Sequence, residues 1–383
     1  MRKSILALLW MSVSAMGVRA GASDATTSKL ESILAPLANH RSPGLAVLVQ
    51  KSGRTLFERG YGVRDLRTLT RIDANTNFRL ASCTKQFTAM AIMLLVHDGK
   101  LRYDDKLTGV FPDFPAYGRN ITIRHLLTHT SGLPDYEDLM EAVEKANGPA
   151  WTAARQIHDG EVLDLLKRQP QGKFAPGANW SYSNSGYVVL GLVAAKISGE
   201  PFGQFLHHRI FEPLQMRGVL AYINGKNAPP QRAYGHAKTG GEFLESDQSP
   251  TSATLGDGGV YSNLVDLAKW DAALRNGALL NRKEMNAGLT AAQLFDGSEP
   301  HWPTQPGDDN LNPGKPVSYG FGWFLDPYKR RPRMWHSGTT QGFRTVIERF
   351  TNENLTLIML CNRTDLDASD LALRMADILQ AQE

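Results

Sequence analysis

The two ends of the chain carry the same pattern in mirrored order, and this constrains the fold more than any other feature. Near the start, Leu30, Ile33, Leu34 and Leu37 fall at helical spacing, with Pro36 closing the element. Residues 45–50 and 55–61 then flank Lys51-Ser52-Gly53-Arg54, which predicts a β-hairpin. Near the end, residues 344–350 and 355–361 flank Thr351-Asn352-Glu353-Asn354. A helix from about Ala368 follows, carrying Leu371, Met375, Ile378 and Leu379 on one face. Hairpins and amphipathic helices at opposite chain ends predict one antiparallel sheet covered by both terminal helices.

The middle reads differently. Residues 85–97 are apolar almost all round, the signature of a buried central helix. Further helical patterns cover 121–127, 160–167, 187–197 (stopped by Gly199) and 263–274, where Asn263 caps and Asp266 sits in the first turn. Residues 223–256 and 296–318 are rich in Gly, Pro and polar side chains and read as loops. The expected fold is therefore α/β of the α+β kind. Its sheet domain is split between residues 23–75 and 310–383, around a mainly helical domain at 76–309. A cleft between such lobes suits a small ligand.

Composition narrows the function classes. A chain of 383 residues with 42% hydrophobic and 21% charged residues is neither disordered, collagenous nor coiled coil. Two cysteines exclude a disulfide-rich scaffold and a four-cysteine metal cage, and leave open whether Cys83 and Cys361 pair. Arg2 and Lys3, an apolar run from Ile5 to Met16 and Ala20-Gly21-Ala22 read as a signal peptide over residues 1–22. Cleavage there removes Arg2, Lys3 and Arg19 and no acid, bringing the net charge from +4 to +1. A near-neutral mature chain has no nucleic-acid footprint. No cysteine follows the apolar run to carry a lipid anchor, so the expectation is a periplasmic or secreted protein.

The chemistry starts from a nucleophile with a base beside it. No Gly-x-Ser-x-Gly elbow is present. Ser82-Cys83-Thr84-Lys85 immediately precedes the most apolar helix, and residues three apart on a helix share a face, so Lys85 can reach Ser82. A buried lysine loses part of its preference for the charged form and can act as a base. Alone, the tetrapeptide fits a capping serine with a solvated lysine equally well. Tyr182-Ser183-Asn184 places a phenol two residues from a carboxamide, although Ser183 or Asn184 could simply cap the helix that begins near Tyr187. His336-Ser337-Gly338-Thr339 lies in an extended segment ahead of the last two strands, where the glycine would let a substrate backbone approach. His125 and His129 are spaced i, i+4 on an expected helix. They lack the glutamate of His-Glu-x-x-His and an evident third ligand, so no metal or cofactor is expected.

Ser82-x-x-Lys85, Tyr182-x-Asn184 and His336-Ser337-Gly338, in this order, resemble the three motifs of the serine penicillin-recognising superfamily. The resemblance extends to Phe78-Arg79-Leu80-Ala81, to the segment from Leu126 to Pro134 and to Gly342-Phe343. It is greatest to the branch of class C β-lactamases, DD-carboxypeptidases, D-aminopeptidases and related esterases. The resemblance implies that Ser82 forms an acyl-enzyme, with Lys85 and Tyr182 moving its proton and Asn184 orienting Lys85 and the substrate amide. It also implies that His336, Ser337, Gly338 and Thr339 line the substrate. The backbone N–H groups of Ser82 and Thr339 would stabilise the oxyanion, worth roughly 3–4 kcal/mol per donor in other systems. The implied substrate is a D-Ala-D-Ala-like peptide, a β-lactam or an ester; a non-catalytic penicillin-binding sensor is the other class. Many relatives carry Lys-Thr-Gly where His336-Ser337-Gly338 stands, and a largely neutral histidine shifts the expectation from β-lactamase towards peptidase or esterase. A literal Lys238-Thr239-Gly240 lies elsewhere and reads as a turn.

Overall fold

The computed structural model describes residues 24–305 and 311–381; the leader-like residues 1–22 lie outside the described residues. Helix α1 (Asp24–Leu34) leads into strands β1 (Leu45–Lys51) and β2 (Arg54–Tyr61). Ser52 and Gly53, at φ of 50° and 78°, make the link, the conformation that suits a tight hairpin. The central region carries α2 (Lys85–His97), α3 (Asn184–Ser198) and α4 (Leu264–Asn276). The chain returns as β3 (Arg333–Thr340), β4 (Phe343–Phe350) and β5 (Leu355–Cys361), then closes with α5 (Ala368–Gln380).

The strands form one antiparallel sheet in the order β3-β4-β5-β1-β2. The two chain ends meet where β1 pairs with β5, from Leu45 opposite Cys361 to Lys51 opposite Leu355. Alternation of side chains decides which layer each residue joins. Leu45, Val47 and Val49 pack with Leu357 and Met359 against Leu30 and Leu34 of α1 and Met375 of α5. Ala46, Leu48, Ile358 and Leu360 face the opposite way, into the core shared with α2 and α3. Strand β1 is buried on both faces, which accounts for its unbroken apolar run.

Helix α2 crosses that second core. Residues 85–95 are all buried, and Phe87 packs against Trp270 of α4 with ring centroids 4.6 Å apart. Gly199 ends α3 in a left-handed conformation, and Asn263 caps α4 by accepting from the Asp266 N–H. No helix among the described residues is long and apolar enough to cross a membrane.

Four expectations are corrected. The stretch 223–256 is not all loop, since His236–Thr239 and Glu242–Glu245 pair as a hairpin. The literal Lys238-Thr239-Gly240 is the end of one of those strands and the first turn residue. Helix α3 begins at Asn184, not near Tyr187, because Ser183 caps it through an Oγ that accepts from Gly186 N–H. The helix holding His125 ends at Leu127, and His129 has φ 60°, so the two histidines share no helical face. Cys83 and Cys361 are both buried and free.

Candidate active site

A short strand at Phe78–Arg79, paired with Val260–Ser262, delivers the chain to Ser82. Ser82 does not begin α2; it lies in the separate 3-10 turn Ala81–Thr84, and α2 starts at Lys85. Ala81 just before it has φ 48°, a left-handed conformation that costs a non-glycine residue of order 1–3 kcal/mol. Flanking contacts hold it: Leu80 N–H donates to Val260 O at 2.9 Å, and Cys83 N–H donates to Leu80 O at 3.1 Å.

Lys85 is the centre of the cluster. Its Nζ donates to Ser82 Oγ at 3.0 Å, to Asn184 Oδ1 at 2.8 Å and to the Asp257 backbone oxygen at 3.2 Å. Each apolar residue buried along α2 stabilises the fold by roughly 1.5–3 kcal/mol, whereas burying an amine costs several kcal/mol before its partners offset it. A lysine with no exposed surface in such a helix therefore has a chemical rather than a packing rationale. The same Nζ lies 4.8 Å from the centre of the Tyr182 ring, which brings the first two motifs into contact. Asn184 is the first residue of α3, and its backbone N–H is held by Asp135 Oδ2 at 3.3 Å.

The third motif reaches the nucleophile turn through backbone contact. Cys83 Sγ donates to His336 O at 3.1 Å, and burial pushes this thiol up to about 12, so it stays protonated. Thr345 Oγ1 on β4 donates to Leu80 O at 2.9 Å. A Cβ on Gly338 would lie 2.2 Å from that same oxygen. The packing of the nucleophile turn on β3 thus by itself requires the glycine.

His336 is buried, with both ring nitrogens engaged. Nδ1 lies 2.6 Å from Ser337 O, which can only accept, so Nδ1 carries the proton. Nε2 then accepts from Tyr319 Oη at 3.1 Å. Burial, and secondly the charge of Lys85, push its pKa down to about 3. The imidazole is neutral and anchors the strand. Ser337 is half-buried beside it and Thr339 is exposed at the strand end. Arg344 donates from Nη1 to the Thr340 and Phe343 carbonyls.

Two contributors escaped the sequence reading. Asp257 supplies only a backbone carbonyl to Lys85, which any residue type could do and no motif could announce. His129 accepts the Ser183 N–H on Nδ1 at 3.1 Å, and its ring lies 4.5 Å from that of Tyr182. Its pKa is held well below the ordinary value by burial, then by Lys85 and His336. Its signal was the Leu-Thr-His-Thr-Ser-Gly run, already part of the resemblance. Behind these rings Trp180, Trp302, Tyr319, Phe324 and Trp335 form an aromatic cluster that backs Tyr182.

The family model described as Beta-lactamase matches residues 30–382. The chain belongs to the β-lactamase family. A relative in Bacillus subtilis (strain 168), penicillin-binding protein 4*, is 31% identical over 336 residues, covering 83% of this chain and 68% of that protein. Two solved structures share the fold. The octameric penicillin-binding protein homologue from Pyrococcus abyssi matches 92% of this chain and 77% of its own, with TM-score 0.76 and 24% identity. The D-amino acid amidase from Ochrobactrum anthropi SV3 matches 94% and 99%, with TM-score 0.74 and 24% identity. Within the β-lactamase family this chain is a serine hydrolase of the penicillin-binding-protein type.

Proposed function

We propose that this β-lactamase-family hydrolase forms an acyl-enzyme at Ser82 and cleaves amides of D-amino acids, including short peptides that contain them. The observation that carries the reading is the contact of the buried Lys85 amine with Ser82 Oγ and Asn184 Oδ1. With the amine neutral, the same 3.0 Å contact runs in reverse and Ser82 O–H donates to Nζ. Ser82 Oγ then bonds to the substrate carbonyl carbon and its proton passes to Lys85 and Tyr182. The C–N bond breaks and the amine leaves with that proton. Water adds to the acyl ester, releasing the acid and restoring Ser82. The N–H groups of Ser82 and Thr339 are the proposed oxyanion donors.

The substrate class follows from charge. His336 is neutral and stands where many relatives carry a lysine, so β3 supplies no fixed cation at that position for a substrate carboxylate. An amide presents no such carboxylate beside the bond to be cleaved, unlike a peptide ending in D-Ala or a β-lactam. The fold neighbour from Ochrobactrum anthropi is a D-amino acid amidase, in keeping with this choice.

The test is turnover of D- and L-phenylalanine amide, a nitrophenyl ester and nitrocefin by wild type and Ser82→Ala, with intact-mass analysis. D-amide turnover exceeding L-amide turnover, lost in Ser82→Ala, is expected. Nitrocefin turnover above amide turnover would replace the reading with a β-lactamase, and activity that survives Ser82→Ala would end it. We also propose export on residues 1–22, on the basis of their basic start, apolar run and small-residue end. A mature N-terminus at residue 23 in the extracytoplasmic fraction is expected; full-length protein confined to the cytoplasm would refute export.

A further inference from the structure

A cavity of about 530 Å3 opens between the C-terminal end of α4, the β4–β5 turn and the short helix Arg282–Met285. Its size falls within the roughly 300–1,000 Å3 range of small-molecule sites. No residue of the Ser82 cluster lines it.

The cavity has two chemically distinct sides. On one, the buried Asp271 carboxylate accepts from Arg275 Nη1 at 2.8 Å, from Arg349 Nε at 2.7 Å and from Thr356 Oγ1 at 2.7 Å. Two guanidinium groups share one carboxylate, so this group of three keeps a net positive charge. The Asp271 and Arg349 side chains are only 3% and 12% exposed, which limits screening of that charge by solvent. Arg282 adds a second positive charge at the exposed rim. The other side is apolar, formed by Leu274, Leu280, Met285 and Leu289.

A positive, partly desolvated wall facing an aliphatic one complements an anion with a hydrocarbon tail. An inorganic anion would leave the aliphatic wall unused. Length is limited as well: beyond Met285, towards Met90 and Trp270, the spaces shrink to about 10 Å3, no more than one water's worth. We infer that this cavity is a second binding site, separate from Ser82, for a medium-chain aliphatic carboxylate. The carboxylate lies towards Arg275, Arg349 and Arg282, and the chain lies along Leu280, Met285 and Leu289. The inference does not depend on which substrate Ser82 takes.

Calorimetric titration of octanoate, with octanol as the uncharged control, tests it. The Ser82→Ala protein is used so that no turnover contributes. Saturable one-to-one binding of octanoate is expected, at least about tenfold tighter than octanol, the difference a charge-assisted hydrogen bond makes. Leu289→Trp, at a half-exposed position on the rim, fills the cavity and abolishes binding. Arg282→Ala weakens it about twofold to fivefold. Both variants are at exposed positions, and an unchanged melting curve shows that they fold. Octanol binding as tightly as octanoate, absence of saturable octanoate binding, or binding that survives Leu289→Trp would each overturn the proposal; the last result would place octanoate in the Ser82 site instead.

Discussion

Lys85 Nζ lies 3.0 Å from Ser82 Oγ although the two residues belong to different elements, a single 3-10 turn and the first turn of α2. The junction is tight because the Lys85 N–H also donates to the Ser82 carbonyl. Backbone and side chain together therefore set the nucleophile-to-amine distance.

Lys85→Met keeps the length of the stem and removes the amine. The acylation rate should fall by about 10²- to 10⁴-fold, the range for loss of a positioned proton acceptor. The far-ultraviolet circular dichroism spectrum should not change, because the apolar packing of α2 remains. Stopped-flow acylation by a nitrophenyl ester measures this, and a rate within twofold of wild type would remove Lys85 from the mechanism.

Gly338→Ala tests the packing of β3 on the nucleophile turn. The added methyl would sit 2.2 Å from Leu80 O and 2.4 Å from Thr345 Oγ1, so strand and turn must separate. Overpacking of this kind costs about 1–3 kcal/mol, and kcat should fall together with stability. Urea unfolding of the variant gives the answer; wild-type stability would show that the contact is softer than described.

His336 should remain neutral across the working pH range. Its folded pKa is about 3 against an ordinary 6.5, so the unfolded chain takes up the proton first on acidification. The stability linked to this group is present above pH 6.5 and is lost as pH falls from 6.5 towards 3, by about 1.4 kcal/mol per unit. Nitrogen-15 spectra of the imidazole should show the Nδ1–H tautomer with no titration between pH 8 and 5. A midpoint near 6.5 would contradict the burial argument.

Glu348 gives the opposite sign. It is fully buried beside Arg333, with its oxygens 3.3–3.4 Å from Nη1, and desolvation pushes its pKa up to about 8 despite that partner. The associated stability is present below the ordinary value of 4.5 and is lost as pH rises towards 8. Glu348→Gln should therefore gain on wild type as pH is raised from 4.5 to 8. Urea unfolding at those two pH values measures the gain, and a difference between the proteins that does not change with pH would rule out a neutral Glu348.

Much of the fold was legible because local periodicity reports it. The apolar runs at 45–49 and 355–361, each beside turn residues, marked strands of the sheet, and the all-round apolar 85–97 marked the central helix. The hairpin at 236–245 was missed because its strands are short and largely polar, so no alternation stands out from the surrounding Gly-rich stretch.

Ser82 and Lys85 were readable as a pair because a contact three residues apart depends on local backbone alone. The rest of the cluster was not readable in this way. Asn184 reaches Lys85 from 99 residues away and the Asp257 carbonyl from 172, and a backbone oxygen leaves no trace in residue type. The residue types in the motifs, and hence the chemistry available, belong to the sequence alone. The neutrality of His336, the packing reason for Gly338 and the acceptors around Lys85 were decided by tertiary structure, because burial and electrostatic environment are sums over segments that meet only when the chain ends join in one sheet.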